Sequence, residues 1–107
     1  MSREGLTPMT KIEVVVAGDD VPVVRQVFEA AQATGWTSVS NVSGLGHHGL
    51  HQGALLFNER ATLHLLITVV PDERAAALVA GLRELFGERS GVMFVSDTYV
   101  SRPEYFR

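Results

Sequence analysis

The chain has 107 residues, enough for one domain with a hydrophobic core and too few for two ordinary domains. Hydrophobic residues make up 46% of it and cysteine is absent, which excludes disulfide bonds, thiolate metal sites and cysteine redox chemistry. The net charge is -3, and the nine Lys and Arg side chains are spread singly from Arg3 to Arg107. Nucleic-acid binding normally requires clustered basic side chains, so we expect no nucleic-acid partner.

Residues 1–10 have no apolar core of the length that a secretory signal needs. No segment has the apolar length of a secretory signal or of a membrane span. The first patterned segment begins at Lys11. We therefore expect a cytoplasmic protein with an N-terminal tail at residues 1–10 and a single domain at residues 11–107.

The first half of the domain predicts a strand, a helix and a second strand. Residues 11–16 are rich in β-branched side chains, which favours a short buried strand. Asp19 and Asp20 are candidate N-cap carboxylates for the helix that follows, and the helical spacing of apolar residues ends near Gly35. The Thr, Val and Ser content of the segment Thr37–Val42 predicts the second strand.

A loop with four glycines follows at residues 43–53, and its glycine content argues against a helix or a strand. At residues 43–46 the closely spaced glycines would let backbone N–H groups approach an anion, although an ordinary turn explains the same residues. The imidazoles of His47, His48 and His51 are candidate metal ligands. The loop contains no carboxylate, and its glycines provide no rigid placement of ligands.

The second half repeats the order of the first. Alternating side chains predict a strand at residues 61–70, and Pro71 and Asp72 mark the start of a helix that ends at Gly87. Residues 88–91 form a polar turn. Val92 then begins a fourth strand, which ends near Asp97 or continues further.

The predicted order βαββαβ is typical of an α+β, ferredoxin-like domain, in which an antiparallel four-stranded sheet carries both helices on one face. The other face would expose apolar side chains, either Leu63, Leu65 and Ile67 or the side chains that alternate with them. Burial against neighbouring subunits would remove these side chains from water, at roughly 25 cal/mol per Å². The pattern therefore predicts assembly with further copies of the chain.

Catalytic motifs are missing from the sequence. It contains no Gly-x-Ser-x-Gly turn, no Walker-type Gly-Lys-Ser/Thr and no His-Glu-x-x-His pair. Ser43, His64 and Asp97 could be imagined as a triad, but nothing in their spacing favours one. We therefore expect that the protein is not an enzyme.

Five segments, taken in order, resemble the PII signal-transduction family. The resemblance covers residues 11–97 and rests on the ordered set rather than on any single motif. The segments are Gly-Trp-Thr at 35–37, Val-Ser-Gly-Leu-Gly at 42–46, Gly-Ala at 53–54, Val-Val-Pro-Asp-Glu at 69–73 and Gly-Val-Met-Phe-Val-Ser-Asp at 91–97.

This resemblance implies a homotrimer that binds adenine nucleotides between its subunits. A T-loop, near residues 47–57 here, would dock onto a membrane transporter or an enzyme and change shape with ligand. By position, Thr37 and Val69 would line the adenine pocket, and Arg102 would contact a phosphate. The phosphate-proximal positions after the second strand and before the fourth strand are Gly44, Leu45, Gly46, Glu88, Arg89, Ser90 and Gly91.

Several positions depart from the family pattern. Leu56 replaces the Tyr that bacterial members use for uridylylation, which implies that this covalent switch is absent. Val92 and Leu63 replace basic contacts to phosphate, and the family's Arg-Gln after Gly-x-Gly is His47-His48 here. Fewer charge-assisted contacts weaken the case for a triphosphate.

The pattern most resembles the divergent PII-like proteins associated with carboxysomes and bicarbonate transporters. This implies ADP or AMP as small-molecule effectors, with ATP and bicarbonate as further candidate ligands and no tightly bound cofactor. A small anion could be held by backbone amides at Gly44 and Gly46 together with Arg89 or Arg102.

A metal-responsive trimer is the alternative interpretation. It would have the same ferredoxin-like subunit, similar to the copper-tolerance family, and would bind the metal through His47, His48 and His51.

Overall fold

The computed structural model describes residues 3–42 and 62–107. Neighbouring strands of the sheet are antiparallel, in the order β2-β3-β1-β4. This architecture confirms the predicted ferredoxin-like fold, and within the described residues neither helix is long and apolar enough to cross a membrane. The elements are β1 (Thr7–Ala17), α1 (Val21–Ala30), β2 (Thr37–Val42), β3 (Leu63–Val70), α2 (Asp72–Glu88) and β4 (Val92–Val100), with short 3-10 turns at Gly18–Asp20 and Pro103–Tyr105.

The hydrophobic core lies between the two helices and one face of the sheet. Side chains that alternate along β1 and β3 reach this face, and side chains at helical spacing meet them from α1 and α2. Gly81 of α2 allows the helices to approach closely, since a Cβ there would lie 2.9 Å from Cγ1 of Val27. The fully buried members are Ile12, Val14, Val16, Val24, Phe28, Leu66, Val70, Leu78 and Leu82.

Strand β1 begins at Thr7, whereas the sequence pattern places its start at Lys11. Residues 7–10 are part of the sheet rather than of an N-terminal tail, and Met9 and Thr10 are buried. The physical reason is a long-range one. Strand β4 continues to Val100 and pairs with β1 in register as far as Thr7. This pairing provides hydrogen-bond partners for the backbone N–H and C=O groups of these residues.

Helix α1 ends at Ala30, earlier than the predicted end near Gly35. Gln32 adopts a positive φ of 64°, and the N–H of Ala33 donates to the carbonyl of Phe28 at 2.9 Å. The left-handed backbone conformation of Gln32 ends the helix and turns the chain towards β2. The predicted bounds of β2 are confirmed, β3 begins at Leu63, and α2 ends one residue after the predicted position.

The second face of the sheet carries no helix, and we call it the open face. One apolar row crosses all four strands on it, because Val39, Leu65, Val15 and Val92 are partners in register. Phe94 lies on the same face in the next row and is 57% exposed. The open face therefore carries an apolar band, and beside it Glu13, the partner of Phe94, forms an ion pair with Lys11.

Candidate functional site

Two of the predicted nucleotide contacts lie together on the open face. Thr37 is the first residue of β2 and is the register partner of Ile67. Val69 is two residues further along β3, so its side chain lies on the same face as that of Ile67. Thr37 is exposed and Val69 is half-buried, so both can contact a ligand.

The segment that enters β2 is held by contacts behind this face. The hydroxyl of Thr68 donates to the carbonyl of Gly35 at 2.6 Å. The ring of Trp36 packs against Phe28, with 6.1 Å between ring centroids, and the guanidinium of Arg25 lies 4.9 Å from its centroid. These contacts fix the backbone next to Thr37, which makes it a rigid rather than an adaptable contact point.

A second group of predicted contacts lies between α2 and β4. Glu88 is the last helical residue, and the N–H of Arg89 still donates to the carbonyl of Leu85 at 3.0 Å. Gly91 then adopts a φ of 154°, and a Cβ there would lie only 2.5 Å from the ring of Phe86. The turn therefore requires glycine at its last position.

The side chain of Arg89 already has a partner within the subunit. Its Nη1 donates to Oδ1 of Asp20 at 2.9 Å. The sequence predicts Asp19 or Asp20 as the N-cap of α1. Asp20 occupies that position, but its side chain makes no capping hydrogen bond. The sequence pattern did not reveal this ion pair, since its two residues are 69 positions apart.

Arg102 lies beyond the end of β4, in a C-terminal segment that turns back along the subunit. Its Nη1 donates to the hydroxyl of Tyr105 at 3.2 Å, and its guanidinium carbon lies 5.7 Å from the ring centroid. The carbonyl of Tyr105 accepts a hydrogen bond from the hydroxyl of Thr34 at 2.9 Å. The end of the chain is therefore attached to the connection between α1 and β2 of its own subunit.

Within one subunit, the predicted contact at Thr37 lies apart from the predicted contacts at residues 88–91. Thr37 is on β2, one edge of the sheet, and residues 88–91 precede β4, the opposite edge. Three strand spacings separate the two edges, a distance of roughly 14 Å. Arg102 and Arg89 flank opposite ends of β4, whose nine residues span about 30 Å. Within one subunit, Thr37 and residues 88–91 therefore lie at separate edges of the sheet.

The glycine-rich loop lies outside the described residues. The predicted contacts at Gly44, Leu45 and Gly46, the candidate ligands His47, His48 and His51, and the T-loop near 47–57 therefore stay predictions. In the part of the chain that the structure describes, no three His, Asp or Glu side chains are grouped to hold a metal ion.

The imagined triad is incompatible with the sheet. His64 is the register partner of Val16, and Asp97 is the register partner of Thr10. These positions are six residues apart along β1, or roughly 20 Å. The side chain of His64 instead lies within 3.3 Å of the Ser40 hydroxyl.

A groove of about 390 Å³ lies between the helices, on the layer away from the open face. Its lining is mostly small and apolar, with Glu84 and Glu88 among the lining residues. Among the predicted nucleotide contacts that the structure describes, only Glu88 lines this groove, so the groove is distinct from the site described above.

Comparisons with known proteins agree with this architecture. The family described as nitrogen regulatory protein P-II matches residues 9–105. The chain is similar to CPII, a nitrogen regulatory PII-like protein from Thiomonas intermedia K12, in a structure bound to ADP, AMP and bicarbonate. They are 38% identical, the match covers 95% of this chain and 96% of that one, and the TM-score is 0.80.

Two further solved structures show the same relationship at different distances. A structure of CPII bound to ADP and bicarbonate is 35% identical, with 95% of this chain and 97% of that chain covered and a TM-score of 0.80. The GlnK-ATP complex of B. subtilis is 16% identical, with 89% and 85% covered and a TM-score of 0.59, and it shares the fold. No curated protein sequence matches the chain.

Proposed function

Because this chain belongs to the P-II family of nitrogen regulatory proteins, we propose that it is a PII-like regulator whose effectors are ADP or AMP together with bicarbonate. The observation that carries the proposal is the similarity to CPII over 95% of the chain at 38% identity, since that protein is bound to these ligands. The family is regulatory, and the proposal accordingly assigns binding rather than catalysis to the chain.

A homotrimer with ligand sites between subunits is the second part of the proposal. The two edges of the sheet differ, so contact of the β2 edge of one subunit with the β4 edge of the next is heterologous and can close into a ring. Such a contact would place Thr37 of one subunit near the turn at residues 88–91 of its neighbour. The exposed apolar row of the open face supports this assembly, because burial would stabilise it.

The trimer has a direct test in Phe94→Glu, measured by sedimentation velocity. This variant places a charge on the open face, and we expect it to dissociate at a concentration where the wild type is trimeric, because an unpaired buried carboxylate is costly. Val95→Glu is the matched control, since Val95 is also exposed and lies on the opposite face. A trimeric Phe94→Glu variant, or equal dissociation of both variants, would contradict assembly through the open face.

Calorimetric titration with AMP, ADP and ATP, each with and without bicarbonate, tests the ligands. We expect binding of ADP or AMP that changes when bicarbonate is present. The only tryptophan, Trp36, precedes Thr37 and offers an independent fluorescence signal. Absence of binding by all three nucleotides would overturn the proposed function. A metal titration of the loop histidines would then be the next experiment.

Thr37→Val tests the adenine end of the site. It removes one hydroxyl at nearly constant volume, and we expect nucleotide affinity to fall about threefold to tenfold, the value of one hydrogen bond. Ser38→Ala is the control, because Ser38 is the neighbouring hydroxyl and lies on the helix side of β2. Equal affinities of Thr37→Val and the wild type would remove Thr37 from the site.

The glycines of the loop provide a test of the phosphate end. Gly44→Val and Gly46→Val would block close approach of backbone N–H groups to an anion. We expect both variants to lose nucleotide affinity, and an unchanged affinity would contradict their assignment.

The proposed output of the regulator is contact with a cytoplasmic enzyme or a membrane transporter through the segment near residues 47–57, in response to carbon status. The family membership supports a regulatory output, and the bicarbonate in CPII structures supports the link to carbon. Affinity purification from host cells with and without ADP and bicarbonate tests it. A partner set that is the same in both conditions would contradict a ligand-dependent output.

A further inference from the structure

The guanidinium of Arg89 is hydrogen-bonded to the carboxylate of Asp20, a residue that no motif assigns to the ligand site. Asp20 ends the 3-10 turn that follows β1, and its Oδ1 accepts the hydrogen bond from Arg89 at 2.9 Å. Charge-assisted pairs of this length are among the stronger side-chain contacts. Within the subunit, the guanidinium that is proposed to receive phosphate is therefore paired with an anion of the protein.

Asp20 is the fixed member of this pair. Only 14% of its side chain is exposed, compared with 47% for Arg89. Its turn is attached to the start of β3, because the N–H of Gly18 donates to the carbonyl of Thr62 at 2.9 Å. A ligand that binds Arg89 can therefore move the arginine, while the carboxylate of Asp20 stays where it is.

We propose that Asp20 is a specificity-determining residue, an internal anion that competes with ligand phosphate for Arg89. The inference rests on the proposed function, because it takes Arg89 as a phosphate contact. A phosphate group displaces the carboxylate but then lies close to it, and like charges repel. Each additional negative charge on the ligand raises this opposition. Asp20 thus disfavours ATP relative to AMP.

Asp20→Asn tests the competition in calorimetric titrations with AMP, ADP and ATP. The substitution preserves the shape of the side chain and removes its charge. We expect the affinity for ATP to rise about fivefold, near the upper limit for a partly exposed ion pair, and the affinity for AMP to rise by a smaller factor. Asp19→Asn is the matched control, because it removes the same charge at the adjacent exposed position.

The graded response across the three nucleotides distinguishes competition for Arg89 from a purely structural role of Asp20. A loss of folding or of a positioned Arg89 would lower the affinity for all three nucleotides together, and that result would overturn the proposal. Equal effects of Asp20→Asn and Asp19→Asn would overturn it as well, because they would reflect net charge alone.

A nucleotide-free measurement distinguishes failure of this inference from failure of the proposed function. Inorganic pyrophosphate is titrated into ¹⁵N-labelled protein while the side-chain Nε–H signal of Arg89, assigned by its absence in Arg89→Ala, is followed by NMR. We expect the signal to shift at about fivefold lower pyrophosphate concentration in Asp20→Asn than in the wild type. The same midpoint in both proteins overturns the inference. A lower midpoint without nucleotide binding retains the inference and discards the adenine site.

Discussion

Gly91→Ala is expected to destabilise the subunit by about 2–4 kcal/mol. The new Cβ would lie 2.5 Å from Cε1 of Phe86 and 2.8 Å from its Cδ1, closer than carbon atoms approach. Overpacking of this kind costs roughly 1–3 kcal/mol, and a φ of 154° in a residue other than glycine adds about 1–3 kcal/mol. Phe86 is only half-buried and can move outwards, so we expect less than the full sum.

Urea denaturation followed by the fluorescence of Trp36, at one fixed subunit concentration, measures this change. Phe86→Ala separates its two causes, because Gly91→Ala in that background should retain only the backbone cost. Gly87→Ala is the control, since its helical position has nothing within 4 Å of an added Cβ, and it should stabilise the protein by about 0.5–1 kcal/mol. A Gly91→Ala variant as stable as Gly87→Ala would refute the reasoning.

Two further predictions concern the framework behind the site, and both are measured by the same denaturation experiment. Phe28→Ala should cost about 3–5 kcal/mol, because the ring is fully buried and its removal leaves a cavity beneath Trp36. A cost below about 1 kcal/mol would contradict the described core. Thr68→Val should cost about 1–3 kcal/mol, because it leaves the carbonyl of Gly35 without this donor. An unchanged stability would show that the hydrogen bond does not hold the entrance to β2.

Local pattern was sufficient to predict the order and type of the elements. The residues of β2 share one extended preference, and α2 has a clear start at Pro71 and a continuous helical spacing. These signals depend on residues that are close in sequence, so they predict the elements without knowledge of the tertiary contacts. The match to the P-II family model and the similarity to solved PII-like structures then confirmed the fold.

The ends of elements were less predictable, because distant partners decide them. The four residues that precede Lys11 show no alternation that would predict a strand. They are extended because β4 pairs with them as far as Thr7. Similarly, α1 ends at Ala30 where Gln32 takes a positive φ and the chain turns to meet the sheet. Tertiary pairing overrides local propensity at such positions.

The candidate site likewise combines features that the sequence predicts with features that only the tertiary structure determines. From its sequence alone, this protein could be recognised as a βαββαβ domain with a glycine-rich loop, and Thr37, Arg89 and Arg102 could be named as candidate contacts. Only the tertiary structure shows that Thr37 and Arg89 lie at opposite edges of one sheet and that Asp20 pairs with Arg89. The reason is physical. Secondary structure depends mainly on neighbours in sequence, whereas an ion pair between residues 69 positions apart exists only after the strands have brought two turns together.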